Sequence, residues 1–590
     1  MVNDSIPFNI PQEIERLMLQ CADGLEPFDS TFSPDIRTAD PRYGDFQANG
    51  VLPFAKRKGL NPRETAMHLV KALQRNDAFD PDTISVDTTG PGFINFRLTP
   101  TFLLKWLQQY RSLTDLRAGA GASYRSRRVV VDYSSPNTAK QMHVGHIRST
   151  IIGEAISLLL EFCGVEVIRD NHIGDWGTQF GLLIASIKRQ GYDLNNPSED
   201  PLADLESLYK EGVALAGRDT GFLETARQEL VKLQQGDVYN QELWERICKV
   251  SYQAFEEIYA MLGIQFDKVL GESFYRDKVD RICGELTETG LAQESEGALV
   301  IFFPEHPRFN KQPFIIRKSD GASNYATTDL ATVLYRCEDF KTDEIIYVTD
   351  SRQKDHFEQL FLTVQKWFDA KGYTQPVLQH ITFGTILGED GKAIKTRSGD
   401  PIKLKDLLNE AIERAYSIVT AKSVDLSETE RREIARAVGI AAIRYADLMQ
   451  NRTTDYTFSW EKLLSFEGNT APYLLYAVAR IHSIFRKLDL NPCEGEEGAS
   501  PFETEAEIAL ARKHTSFVTV LNQAISELRP HFLCTYLYDL VGAFNFFYKH
   551  DKVMIEDEAV RARRVLLCAR TLNLLETGLH LLGIKTLKRM

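Results

Sequence analysis

One stretch, from Arg128 to Gly181, limits what this chain can fold into more than any other: RVVVDYSSPNTAKQMHVGHIRSTIIGEAISLLLEFCGVEVIRDNHIGDWGTQFG. Val129, Val130 and Val131 form a β-branched apolar run, suited to a strand buried on both faces. A polar loop follows from Ser134 to Gln141, and Pro136 bars helix there. From His143 the period changes: Ile147, Ile151, Ile152, Ala155, Ile156, Leu159 and Leu160 share one helical face. Gly164 suits the residue just past that helix, and Val165 to Ile168 begins a second strand. A strand, a helix and a second strand in this order predict a parallel, doubly wound sheet. Ligands of such sheets sit beyond the carboxyl ends of the strands.

His143-Val144-Gly145-His146 stands where the helix opens, where free backbone N–H groups and the helix dipole favour an anion. Two imidazoles three residues apart can donate to a phosphate, and Gly145 lets a flat ring approach the backbone. Read alone, the pair fits a plain helix cap equally well. No Cys, His or carboxylate cluster accompanies it at metal-ligand spacing, so no dedicated metal site is expected.

Further along, Tyr325 and Asp329 are four apart in Asn324-Tyr325-Ala326-Thr327-Thr328-Asp329, after an Asp-Gly turn that leads into a helix. A ring and a carboxylate side by side can hold a planar cation. Two such residues on a surface helix are also ordinary. Glu389-Asp390-Gly391-Lys392-Ala393-Ile394-Lys395-Thr396-Arg397-Ser398-Gly399 is a glycine-bearing basic loop, fit for a mobile phosphate clamp or a solvated turn. A P-loop pattern is absent from it.

At 590 residues the chain holds several domains. Residues 1–118 read as a small α/β module: Asn61 and Pro62 open a helix, and Ile94, Phe96 and Leu98 alternate with polar neighbours as in a half-buried strand. Residues 126–400 carry the Rossmann-type sheet, with insertions near 190–250 and 276–316. Residues 401–590 read as helices throughout, among them 406–418, 428–447, 471–488 and 505–528. The apolar run Phe532 to Tyr548 contains Asp539 and reads as a buried helix, so no membrane span is expected. Eight cysteines stand singly, which argues for reduced thiols and a cytoplasmic setting. The net charge of −13 repels phosphates over roughly a Debye length, ~8 Å at physiological salt, so any RNA contact must use local basic patches.

The motifs together resemble one family. His143-Val144-Gly145-His146 resembles the HIGH signature of class I aminoacyl-tRNA synthetases. Ser134-Ser135-Pro136-Asn137 before it and Gly174-Asp175-Trp176-Gly177-Thr178-Gln179-Phe180-Gly181 after it resemble arginyl-tRNA synthetases specifically. The resemblance implies ATP, L-arginine and tRNA(Arg) as substrates, with Mg²⁺ accompanying the ATP. It places His143, Gly145 and His146 on the nucleotide. It places Asn137, Glu272, Tyr325, Asp329 and Gln353 around arginine, with Glu272, Tyr325 and Asp329 on the guanidinium. Lys395, Thr396, Arg397 and Ser398 match a degenerate second class I signature, and Lys140 stands where a lysine substitutes in relatives with such loops. Tyr43 to Asn49 and Gly90 to Phe96 resemble the additional N-terminal domain, which implies a tRNA D-loop contact through Phe46, Gln47 and Asn49. Asn469 to Ala477, with Tyr473, resembles the anticodon-binding domain. A monomer is expected. The alternatives are a small-molecule nucleotidyltransferase, which would not need the helical third, and an arginine-sensing or RNA-binding pseudo-synthetase.

Overall fold

The computed structural model describes residues 7–590 apart from 41, 121–125, 320–324, 395–400, 423–425 and 493, and the backbone alone at 118 and 422. The chain divides into two compact units: Met1–Ser123 together with Ser465–Met590, and Tyr124–Leu464.

The second unit is built on five strands. Arg128–Asp132 is central, with Glu166–Asn171 and then Lys268–Val269 on one side, and Glu344–Asp350 and then Val377–Phe383 on the other. All four pairings are parallel. Val129, Val130 and Val131 are fully buried, as a strand covered on both faces requires. The helix Val144–Phe162 follows the central strand, and Gly164 takes a φ of +84° just beyond its end. The strand order reverses between Arg128–Asp132 and Glu344–Asp350, which makes the crevice outside their carboxyl ends the switch point where a ligand belongs.

Two groups of elements interrupt the winding. The first is helical: Pro201–Ala216, Thr220–Gln234 and Val238–Leu262. The second pairs a helix, Val279–Glu288, with an antiparallel sheet of Ala292–Ser295, Ala298–Ile301 and Phe314–Arg317. The helix Tyr325–Glu338 then returns to the parallel sheet, and a fully buried arginine anchors it there. Arg336 Nη2 bonds Asp132 Oδ2 at 2.5 Å and Asp170 Oδ2 at 2.9 Å, at the ends of two adjacent strands. Such a pair contributes mainly by fixing geometry, because removing one member strands a buried charge. Helices Leu404–Lys422 and Glu428–Leu448 pack on each other and lie in this unit, although the sequence reading groups them with the helical domain.

In the first unit an antiparallel sheet runs Ile36–Thr38, Phe46–Ala48, Phe93–Leu98, Ile84–Thr89. Asn61 caps the helix Pro62–Leu73 by accepting from the backbone N–H groups of Arg63 and Glu64. The C-terminal segment is helical, and the helix expected over 505–528 is two: Glu505–Thr515 and Phe517–Ser526, parted at Ser516. Both ends of the chain meet here. Arg512 pairs with Asp45 at 2.8 Å, and Arg570 Nε donates to the Leu107 carbonyl at 2.6 Å. No helix of the described residues is long and apolar enough to cross a membrane.

Candidate active site

His143 is the N-cap of Val144–Phe162. Its Nδ1 accepts from the Gly145 N–H at 3.0 Å, and His146 Nδ1 accepts from the His143 N–H at 3.1 Å. The plain cap of the sequence reading is therefore present. It does not exhaust the pair. With its Nδ1 accepting from the backbone, the neutral His143 ring carries its proton on Nε2, whereas His146 Nδ1 lies against both the N–H and the carbonyl of His143, at 3.1 and 3.3 Å. Burial lowers the His146 pKa to about 3, helped by His143 beside it and by Lys140. Burial also lowers that of His143, partly countered by Glu206, with Arg352 and Lys140 adding to the fall. At neutral pH the helix mouth thus presents two uncharged imidazoles, 4.1 Å apart between ring centres. A Cβ on Gly145 would come 2.8 Å from His143 Cε1, so only glycine lets that ring fold over the first turn.

The loop between strand and helix is held open by three left-handed residues, Ser134, Ser135 and Ala139, with φ of +72°, +46° and +57°. Such conformations cost energy in a residue with a Cβ and persist only where the surroundings impose them. Here Ser149 Oγ accepts from the Ser134 N–H and donates to the Val348 carbonyl at 2.6 Å, stitching loop, helix and neighbouring strand together. Asn137 makes an isolated parallel bridge with Gly174, where a Cβ would lie 2.1 Å from Asn137 Oδ1.

Next to Gly174, the buried Asp175 carboxylate accepts from the Ser273 N–H and Oγ–H at 2.8 and 2.7 Å and from Tyr252 at 2.9 Å. Those bonds seat Gly271-Glu272-Ser273, and a Cβ on Gly271 would lie 2.3 Å from Asp175 Cγ. Glu272 lies within electrostatic reach of Asp329. Burial first, then the charges of Asp329 and Asp175, push its carboxyl up to about 8. Tyr325 opens its helix in the same neighbourhood: after burial, Glu272, Tyr209 and Asp329 raise its hydroxyl. Tyr325 is 64% exposed, so its ring stands at the rim. Gln353 is exposed at the start of Lys354–Lys371, just past the strand Glu344–Asp350. The structure thus gathers Asn137, Glu272, Tyr325, Asp329 and Gln353 at the sheet end that carries His143 and His146.

Three contributors escaped the sequence reading. His356 Nε2 lies 2.6 Å from Asp329 Oδ2. Tyr209, on the inserted helix Pro201–Ala216, has the Lys140 ammonium 5.1 Å above its ring, and Glu206 on the same helix accepts from the Gln141 N–H at 3.3 Å. The insertion is part of the site, and no local spacing announced that.

Lys395, Thr396, Arg397 and Ser398 lie outside the described residues. The base of their loop does not. Gly384 N donates to the Arg452 carbonyl at 2.9 Å, Thr385 N to Asp455 at 2.6 Å, and Ile386–Leu387 pairs with Tyr456–Thr457. Arg148, from the helix His143 opens, pairs with Asp447 at 3.0 Å, both fully buried, and donates to the carbonyl of the exposed Thr454 at 3.1 Å. The same arginine ties the helix His143 opens to the segment beneath Gly384 and Thr385.

In the other unit Phe46 is only 6% exposed, its ring packed into the sheet, so it has no free face for a base; this corrects the expected stacking contact. Gln47 bonds Asn95 at 2.8 Å on the opposite face, Asn49 is half-buried, and the exposed aromatic nearby is Tyr43. Tyr473 opens Ala471–Leu488 and accepts from Asn545 at 2.9 Å.

Known proteins resemble this chain along most of its length. Residues 111–460 match the model for class I (R) tRNA synthetases, catalytic domain; residues 9–98 match the arginyl tRNA synthetase N-terminal domain; residues 474–590 match the DALR anticodon-binding domain. The arginine–tRNA ligase of Haemophilus influenzae (strain PittGG) is 42% identical over 561 residues, 94% of this chain and 95% of that one. That of Escherichia coli (strain ATCC 8739) is 43% identical over 567 residues, 94% and 96% of the two chains. The crystal structure of arginyl-tRNA synthetase from Plasmodium falciparum superposes with a TM-score of 0.82 at 28% identity, covering 99% of this chain and all of that one. Nothing among these matches favours a nucleotidyltransferase or a pseudo-synthetase. With a catalytic sheet, an N-terminal domain and an anticodon-binding domain each matched in the same order, the chain belongs to the arginyl-tRNA synthetase family of class I enzymes.

Proposed function

We propose that this chain ligates L-arginine to tRNA(Arg) with Glu272, Asp329 and Tyr325 gripping the guanidinium and His143 and His146 serving the nucleotide. The observation that carries this reading is that the Glu272 and Asp329 carboxylates lie within electrostatic reach of each other at the sheet end where the His143 helix starts. In the first step a carboxylate oxygen of arginine attacks the α-phosphorus of ATP in line, and the bond to the β-phosphate oxygen breaks to release pyrophosphate. In the second, the 2′-hydroxyl of the terminal adenosine attacks the arginyl carbonyl and AMP leaves. Neither step needs a covalent enzyme intermediate; positioning and charge stabilisation suffice. The Nε2–H groups of His143 and His146 donate to the α-phosphate as it becomes five-coordinate. Gly145 gives the adenosine room, and Asn137 and Gln353 orient the amino acid's backbone groups. Lys140, Lys395, Thr396, Arg397 and Ser398 draw the leaving pyrophosphate. Mg²⁺ enters as the counter-ion of ATP.

Lysine lacks the planar fork that two carboxylates can meet, so it would leave acceptors unsatisfied. That selectivity makes a separate editing site unnecessary. Gln47 and Asn49 meet the D-loop corner of the tRNA, Phe46 supports them from the core, and Tyr473 meets the anticodon stem-loop. The N-terminal module, the sheet-bearing unit with helices Leu404–Lys422 and Glu428–Leu448, and the helices after Ser465 divide the work into D-loop contact, catalysis and anticodon binding. The enzyme acts as a cytoplasmic monomer.

Aminoacylation of bulk tRNA with each of the twenty amino acids tests the reading. Charging with arginine alone is expected; charging with a different amino acid, or with none, overturns it.

A further inference from the structure

The arginine pocket contains a side chain that the chemistry above does not use. His356 lies in the first turn of Lys354–Lys371, three residues after Gln353, and its Nε2 sits 2.6 Å from Asp329 Oδ2. Its ring is wedged between Phe314, 5.8 Å away, and Phe357, 5.4 Å away, both buried, so it cannot swing freely off the carboxylate. Asp329 projects from a different helix, Tyr325–Glu338. The bond therefore fixes one helix to the other at the point where a guanidinium is to be met.

We propose that His356 is a positioning residue for arginine recognition: by holding Oδ2 of Asp329 it sets the plane of the carboxylate and leaves Oδ1 for the guanidinium. This rests on the reading of Asp329 as a guanidinium ligand. The physical need is plain. The terminal torsion of an aspartate is broad and roughly two-fold, so an unheld carboxylate samples many planes. A guanidinium is a rigid planar fork and rewards a carboxylate already coplanar with it. A hydrogen bond from a packed imidazole restricts that torsion before the substrate arrives. The same bond sets the charge. Burial alone would drive the proton from His356, but the hydrogen bond and charge of Asp329 outweigh it and raise its pKa. The protonated ring then has its donor fixed on Asp329, the one carboxylate it touches among the described residues.

The test is steady-state aminoacylation by the full-length enzyme carrying His356→Phe, which keeps the aromatic packing and removes the donor, and His356→Gln, which keeps a donor. Losing a hydrogen bond to a charged group predicts a rise in the arginine KM of roughly tenfold or more for His356→Phe, with the ATP KM changed less than about twofold. His356→Gln recovers most of the arginine KM. In the Asp329→Asn background, His356→Phe adds little, because its partner has already lost its charge. An unchanged arginine KM in His356→Phe, an equal rise for ATP, or full additivity with Asp329→Asn each overturns the proposal. If His356→Phe does not fold, His356→Leu is the second donor-less variant. Asp329→Asn alone separates the two levels: no effect on arginine there defeats the pocket itself, whereas an effect there without one at His356 defeats only this inference.

Discussion

With Glu272 on the guanidinium as proposed, arginine binding depends on pH in a direction and by an amount that can be worked out. Its carboxyl is pushed up to about 8 by burial, then by Asp329 and Asp175. At pH 7 only about a tenth of the empty pockets then carry the carboxylate form. The guanidinium prefers that form, so binding at pH 7 must first remove a proton, at a cost of about 1.4 kcal/mol. The sign follows: a raised pKa in the empty pocket means tighter binding as pH rises toward 8, and no further gain above it. The dissociation constant for arginine should fall about tenfold per pH unit up to pH ~8 and then level off. Isothermal titration calorimetry in buffers of different ionisation heat should count close to one proton released per arginine at pH 7. His356, whose pKa is also raised, would release its proton in the same sense as the guanidinium neutralises Asp329. Glu272→Gln separates the two and subtracts the titration of arginine itself: the variant should lose most of the slope and bind more weakly at pH 9. A dissociation constant flat across pH 6 to 8, or an unchanged slope in Glu272→Gln, refutes the reasoning.

Other outcomes can be stated briefly. Gly145→Ala forces the His143 ring off the first turn, because its Cβ would lie 2.8 Å from Cε1; kcat should fall by about two orders of magnitude with a small change in the arginine KM, as stopped-time charging assays would record. The family resemblance implies that tRNA binds before the amino acid is activated, so arginine-dependent ATP–pyrophosphate exchange should need added tRNA; exchange at full rate without it overturns that expectation. Arg148→Ala leaves Asp447 buried without its cation and should cost about 3–5 kcal/mol in denaturant unfolding, much of it restored by Arg148→Met with Asp447→Leu.

What the sequence disclosed and what it withheld divide by range. The β-branched run Val129–Val131, the helical face from Ile147 to Leu160 and Gly164 are local signals, and each stands in the structure where local physics puts it. The reading of 505–528 as one helix failed because the apolar period runs on through Ser516 with no Gly or Pro to mark the break. Phe46 could have been read correctly: it alternates with Ala48 on one face of the strand, and Gln47 takes the other. Asp175 was visible in its motif, but its task of seating Glu272 was not, because Ser273 lies far along the chain. His356 sat inside a quoted block and gave no sign of Asp329, which is on another helix. Tyr209 and Glu206 reach the site only because an insertion folds back over the loop at Lys140 and Gln141. Motifs name residues; only the tertiary fold pairs them.

The two ends of the chain share one folding unit, and that has a consequence for synthesis. Asp45, Leu107 and Arg111 are made early, yet Arg512, Arg570 and Asn573, which bond to them, emerge last. On the ribosome the leading segment has no mate until the whole sheet-bearing unit has been translated. A nascent chain halted after Leu464 would hold a finished catalytic sheet beside an N-terminal module with its docking face bare, which makes that face the natural target of a chaperone.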